Sequence, residues 1–145
     1  MARIDERIEN FNRAFDIYVD AVNEFDKDKK LSHMALIQTF EVCYEIAWKI
    51  LKDYLYMKGI TTQFPREVIK EAFGAEVPIN GQIWIDMLEA RNLTSHEYNM
   101  DKVESLFEKI STTFFIEFKK FHQWINREKF LGGADDWFRL TRKNY

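Results

Sequence analysis

Residues 34–57 read MALIQTFEVCYEIAWKILKDYLYM, and this stretch decides the fold. Apolar residues recur at Leu36, Phe40, Cys43, Ala47, Ile50, Tyr54 and Met57, in steps of three and four that lay one face along a helix. A second stripe, Ile37, Tyr44, Trp48, Leu51 and Leu55, lies beside it. A helix apolar over so wide an arc belongs in the middle of the molecule, touching more than one neighbour. Glu41, Glu45, Lys49, Lys52 and Asp53 interrupt the stretch, a spacing of charges that fits a buried helix and not a membrane span. Gly59 follows where a left-handed residue ends a helix.

The flanking sequence repeats the pattern. Upstream, Ile4, Ile8, Phe11, Phe15, Tyr18, Val22 and Phe25 form one face, and Asp26-Lys27-Asp28-Lys29-Lys30 makes the connection. Downstream, Pro65 suits the first turn of a short helix over Arg66 to Phe73, which Gly74 closes. Asn80 can cap a helix whose face carries Ile83, Trp84, Met87, Leu88 and Arg91. Asp101, with Glu104 three residues on, starts a last long helix along Val103, Phe107, Ile110, Phe114, Phe118, Phe121 and Ile125. The expectation is an all-α, up-and-down antiparallel four-helix bundle with an extra short helix, spanning residues 1–130. A tail over 131–145 loses the periodicity; its Trp137 and Phe138 suggest that it docks, and a partner contact and a disordered end stand open about equally.

Composition agrees. Five glycines and two prolines in 145 residues are too few for the corners of a β-sandwich, and 46% apolar residues supply a core. The net charge of −3 excludes a general basic coat for nucleic acid but leaves room for one small phosphate site. A single cysteine, Cys43, rules out an intramolecular disulfide and reads as a small core residue. The charged start, Arg3 to Arg7, lacks the apolar run of a signal peptide, so the expected location is the cytoplasm. Thirteen phenylalanines are many for four slim helices, and some are expected on a dimer face.

Chemistry-bearing residues are sparse. The chain lacks a glycine-rich phosphate loop, a Cys/His cluster and a Glu-x-x-His pair, so neither metal nor cofactor is expected. His33 and His122 stand alone. Glu45 can pair with Lys49 on a solvated face, and Glu41 is taken as a candidate substrate contact. One cluster remains: Arg91-Asn92-Leu93-Thr94-Ser95-His96-Glu97-Tyr98. On an unbroken helix Arg91 and His96 fall about 140° apart. Asn92, Thr94 and Ser95 favour caps and turns, which predicts that the helix stops near Asn92 and folds back to bring guanidinium and imidazole together. That pairing suits a phosphodiester: arginine forks two phosphate oxygens, and histidine moves a proton near neutral pH. Residue chemistry alone favours an ordinary polar loop.

Arg91-x4-His96-x-Tyr98, with Asn92 directly after the arginine, resembles the signature of the HEPN superfamily. Phe40-Glu41, Tyr44-Glu45, Trp48-Lys49, the run Leu51 to Leu55, Gly59, the run Pro65 to Phe73, Trp84 and Met87-Leu88 resemble one branch of it. That branch is the nucleotidyltransferase substrate-binding proteins, and the similarity covers roughly residues 4 to 128.

The resemblance implies a homodimer whose motifs face one another across a cleft, and a metal-independent ribonuclease toxin. His96 would then activate a ribose 2′-hydroxyl or protonate the leaving oxygen. Arg91 would hold the scissile phosphate, Asn92 would orient substrate, and the product would carry a 2′,3′-cyclic phosphate. It also implies a minimal nucleotidyltransferase as partner, which adds AMP to Tyr98 and so blocks RNA. The alternative within the same branch is a non-catalytic nucleotide- or substrate-binding subunit of a two-component nucleotidyltransferase. A purely structural dimer module is the third possibility. Lys49, Lys52, Arg66, Lys70 and Lys102 are the candidates for a positive rim.

Overall fold

The computed structural model describes residues 3–96 and 100–127. Seven helices follow one another: α1 (Arg3–Asn23), α2 (Lys30–Met57), α3 (Pro65–Gly74), α4 (Gly81–His96), α5 (Met100–Glu104), α6 (Phe107–Ser111) and α7 (Thr113–Arg127). No strand occurs among the described residues, so the class is all-α as expected.

The two long periodic stretches behave as their spacing requires. Ile4, Ile8, Phe11, Phe15 and Tyr18 of α1 are buried, and α1 lies along α2. Each such side chain contributes about 1.5–3 kcal/mol by leaving water. The Arg7 guanidinium is 2.7 Å from the Asp53 carboxylate, tying the start of α1 to the end of α2, so the two helices run in opposite directions. α2 is central: it packs against α1, α3, α4 and α6 and buries Leu36, Phe40, Cys43, Tyr44, Ala47, Ile50, Leu51 and Leu55. Its end is a Schellman motif. Ile60 N–H reaches the Leu55 carbonyl at 2.8 Å, Gly59 N–H reaches that of Tyr56 at 3.0 Å, and Gly59 sits at φ +88°. Pro65 takes the first position of α3, where its missing N–H costs nothing.

The last helix departs from the sequence pattern. A single helix from Asp101 was expected, whereas the chain makes α5, α6 and α7 in succession, beginning at Met100. The breaks fall at hydroxyl residues that turn back on the backbone. Ser105 Oγ donates to the Lys102 carbonyl and Thr112 Oγ1 to that of Glu108, each at 2.6 Å, and Thr112 leaves helical geometry at φ −121°, ψ −81°. The apolar face survives the breaks: Val103, Phe107, Ile110, Phe114, Phe118, Phe121 and Ile125 are all buried. The Tyr18 hydroxyl, buried in α1, donates to the Ile110 carbonyl near the second break, and burial holds its pKa well above the usual phenol range.

The phenylalanines mostly fill this core. Phe11 meets Phe121 edge-on at 5.2 Å, and Phe40 stacks on Phe114 at 5.4 Å. Of the phenylalanines among the described residues, only Phe64 and Phe73 are largely exposed. No helix among the described residues is long and apolar enough to cross a membrane. Trp137, Phe138 and the whole expected tail lie outside the described residues.

Candidate functional site

Arg91 and His96 of the candidate motif lie on α4, and α4 is held at both ends by carboxylates from other helices. At its start, Asn80 caps as predicted, its Oδ1 accepting the Ile83 N–H at 3.1 Å. The backbone N–H of Asn80 and the indole N–H of Trp84 both donate to Oε2 of Glu117, at 2.7 and 3.1 Å. Glu117 belongs to α7 and is 2% exposed, so a buried carboxylate sits where the helix dipole favours negative charge. Trp84 is itself fully buried among Tyr44, Phe118 and Phe121. Met87, Leu88 and Ala90 continue the buried side and fix the rotation of α4.

At its end, α4 does not stop near Asn92. It continues to His96, and the fold-back between Arg91 and His96 does not occur. The reason is tertiary. Thr94 Oγ1 lies 3.1 Å from the Arg91 carbonyl, the local bond that would loosen the helix, but only 2.7 Å from Oε2 of Glu41 on α2. Ser95 Oγ donates to the same Glu41 oxygen at 2.8 Å. The hydroxyls that read as helix breakers are engaged by a neighbouring helix, so they no longer compete with the ladder. Along the continuous helix residues 91 and 96 fall about 140° apart in register.

Arg91 meets the same helix. Its Nη2 is 2.7 Å from Oε1 of Glu45, one turn after Glu41, and both side chains remain about a third exposed. The sequence pairs Glu45 with Lys49. That contact exists only at 4.0 Å, and Arg91 is the closer partner. Glu41, Val42, Glu45, Ile46, Arg91 and Ser95 line an open cleft of about 310 Å³. Asn92, the residue after Arg91 on α4, is exposed and is not among the residues that line the cleft. Tyr44, the residue before Glu45 on α2, is fully buried, its hydroxyl without a hydrogen-bond partner among the described residues. Burial first, then the Glu45 charge, raises its pKa, opposed by the fields of Arg91 and Arg66.

Of the sequence-predicted site residues, the structure brings Arg91 and Glu41 to one cleft, and Asn92 is not among the residues that line it. The His96 side chain and all of Tyr98 lie outside the described residues. Glu45, Thr94 and Ser95 were missed as a set. The available signal was two spacings: Glu41 and Glu45 four apart on α2, and Arg91, Thr94 and Ser95 three and four apart on α4, each defining one helical side.

The other candidates are accounted for by packing. Cys43 is buried and free, and burial pushes its thiol up. His122 stacks on Phe15 at 4.7 Å, and His33 lies against Phe107 at 4.8 Å. Lys70 lines a different groove with Phe73 and Gln82. Among the described residues no three His, Cys, Asp or Glu side chains gather as a metal site.

Comparison with known proteins places the chain. Residues 6–127 match the family described as nucleotidyltransferase substrate binding protein like. The chain belongs to this family. It is the HEPN branch that Arg91-x4-His96 and the second-helix pattern resemble. The chain is also similar to a probable ribonuclease HepT of Haemophilus influenzae, 29% identical over 79 residues, which is 51% of this chain and 54% of that protein. It therefore spans about half the length of that curated relative.

Proposed function

We propose that this HEPN-family chain is a metal-independent endoribonuclease of the toxin type. The observation that carries the reading is Arg91, ordered by Glu45 at the mouth of a cleft, on the helix that ends in His96. Membership of the family and similarity to a protein named as a probable ribonuclease support it. Arg91 holds the scissile phosphate and stabilises the charge that develops on it. His96 takes the proton from the ribose 2′-hydroxyl or returns one to the departing 5′-oxygen. Attack of the 2′-oxygen on phosphorus breaks the P–O5′ bond and leaves a 2′,3′-cyclic phosphate. Asn92 orients the substrate.

The same reading takes the helices as an antiparallel four-helix bundle that pairs with a second copy, in the cytoplasm. Residues 91 and 96 diverge in register along α4, so facing motifs from two copies are one way to bring both groups to one phosphate. A strip of apolar surface beside the cleft supports such pairing: Ile17 and Val42, both about half exposed, border a groove between α1 and α2. A minimal nucleotidyltransferase is the proposed partner, and Tyr98 the proposed acceptor of AMP. A bulky anion two residues from His96 would repel RNA by charge and exclude it by size.

The test is cleavage of RNA in EDTA by wild type, Arg91→Ala and His96→Ala, alongside growth of cells expressing each. Cleavage and growth arrest by wild type alone are expected. Equal cleavage by His96→Ala would sink the proposal. Tight nucleotide binding with no cleavage by wild type would favour a substrate-binding subunit instead. Mass spectrometry after incubation with the partner and ATP is expected to place AMP on Tyr98, and light scattering to give a mass above the monomer's 17.5 kDa.

A further inference from the structure

Two carboxylates one turn apart on α2 meet the last two turns of α4. Oε1 of Glu45 takes Arg91 through one nitrogen at 2.7 Å, and Oε2 of Glu41 takes the hydroxyls of Thr94 and Ser95 at 2.7 and 2.8 Å. Arg91, Thr94 and Ser95 share one side of α4, so the two carboxylates grip a single surface. From this clamp we infer that Glu45 is a positioning residue for Arg91, with Glu41 anchoring the turn that carries it. The inference rests on the ribonuclease reading.

An arginine about a third exposed has four rotatable bonds to order before its fork can hold a phosphate in one geometry. The ion pair through Nη2 restricts that freedom in advance, and this contact engages neither Nε nor Nη1, which stay available to a ligand. The same tether places a negative charge beside the incoming anion and weakens its ground-state binding. Glu45 therefore trades affinity for orientation. Its removal should move KM and kcat in the same downward direction, which loss of a merely structural contact does not do.

The experiment measures RNA cleavage by the full chain as wild type, Glu45→Ala and Glu45→Gln. Glu45→Ala is expected to lower kcat about 10- to 100-fold, the range for a misplaced positioning group. KM should fall about threefold, the effect of one exposed charge several ångströms away. Glu45→Gln keeps an acceptor oxygen for Nη2 but no charge, so it should show the same fall in KM with most of kcat retained. An unchanged kcat in Glu45→Ala, or a raised KM in both variants, overturns the inference. Nitrogen-15 spectra of the Arg91 guanidinium give a readout independent of activity. Slow rotation about Nε–Cζ is expected in wild type and Glu45→Gln, and fast rotation in Glu45→Ala. If wild type cleaves nothing while this contrast appears, the ribonuclease reading fails and the tether stands. If Arg91 rotates freely in wild type, the tether itself is refuted. Should Glu45→Ala not fold, Glu45→Gln and the wild-type spectrum decide the matter.

Discussion

Nη2 of Arg91 stands 2.7 Å from Oε1 of Glu45, across the contact between α4 and α2, with both side chains about a third exposed. Solvent screens a pair so placed, and exposed ion pairs contribute at most about 1 kcal/mol. Folding and function should therefore separate at this position. Arg91→Ala is expected to shift Tm by no more than about 4 °C while abolishing cleavage. A variant that unfolds at a much lower temperature would show Arg91 to be a structural residue.

The other end of α4 should behave in the opposite way. Glu117 is buried and accepts from the Asn80 N–H and the Trp84 indole. Glu117→Ala leaves two donors without a partner, at a cost on the order of 3 kcal/mol. For a chain of this size that lowers Tm by roughly 6–12 °C. Glu117→Gln retains an acceptor oxygen and should lose about half as much. Equal losses in the two variants would mean that the cost comes from packing and not from the hydrogen bonds.

These two ends show what the sequence could and could not convey. Asn80 was legible because an N-cap is local: its side chain reaches a backbone group three residues on. The stripes of α1 and α2 were legible for the same reason, since helical period alone selects their buried faces. Thr94 and Ser95 misled because local propensity is all that a sequence displays, and their partner, Glu41, lies more than fifty residues away. Glu45 misled likewise: Lys49 is visible at four residues' spacing, Arg91 is not. The broken last helix is the converse case. Its apolar face was readable throughout, but among the described residues Ser105 and Thr112 turn back on their own backbone carbonyls where the ladder breaks.

Two glycines make a paired test of backbone geometry. A Cβ built on either Gly59 or Gly74 meets nothing within 4 Å, so substitution at both is free of steric contact. Gly59 sits at φ +88°, where an L-residue is strained, and Gly59→Ala should cost about 1–2 kcal/mol. Gly74 ends α3 without a positive φ, and Gly74→Ala should raise stability by up to about 1 kcal/mol. Urea unfolding midpoints check the signs. Both variants moving the same way would contradict the assignment of Gly59 as the αL residue that ends α2.

His122 gives the fold a dependence on pH. Its ring stacks on Phe15 at 4.7 Å and lies tilted over Phe11, and the loss of water there lowers its pKa below the ordinary histidine value, with the Asp16 carboxylate opposing the shift. The unfolded chain then binds the proton more readily than the folded one. The stabilisation from neutral His122 is complete above the unfolded value near 6.5, and it is lost as pH falls through that value toward the lower folded one. Urea midpoints taken from pH 7.5 downward should fall more steeply for wild type than for His122→Phe, which keeps a ring on Phe15 and has no proton to gain. Asp16→Asn removes the opposing charge and should steepen the fall further. Parallel profiles for wild type and His122→Phe would assign the acid sensitivity to other groups.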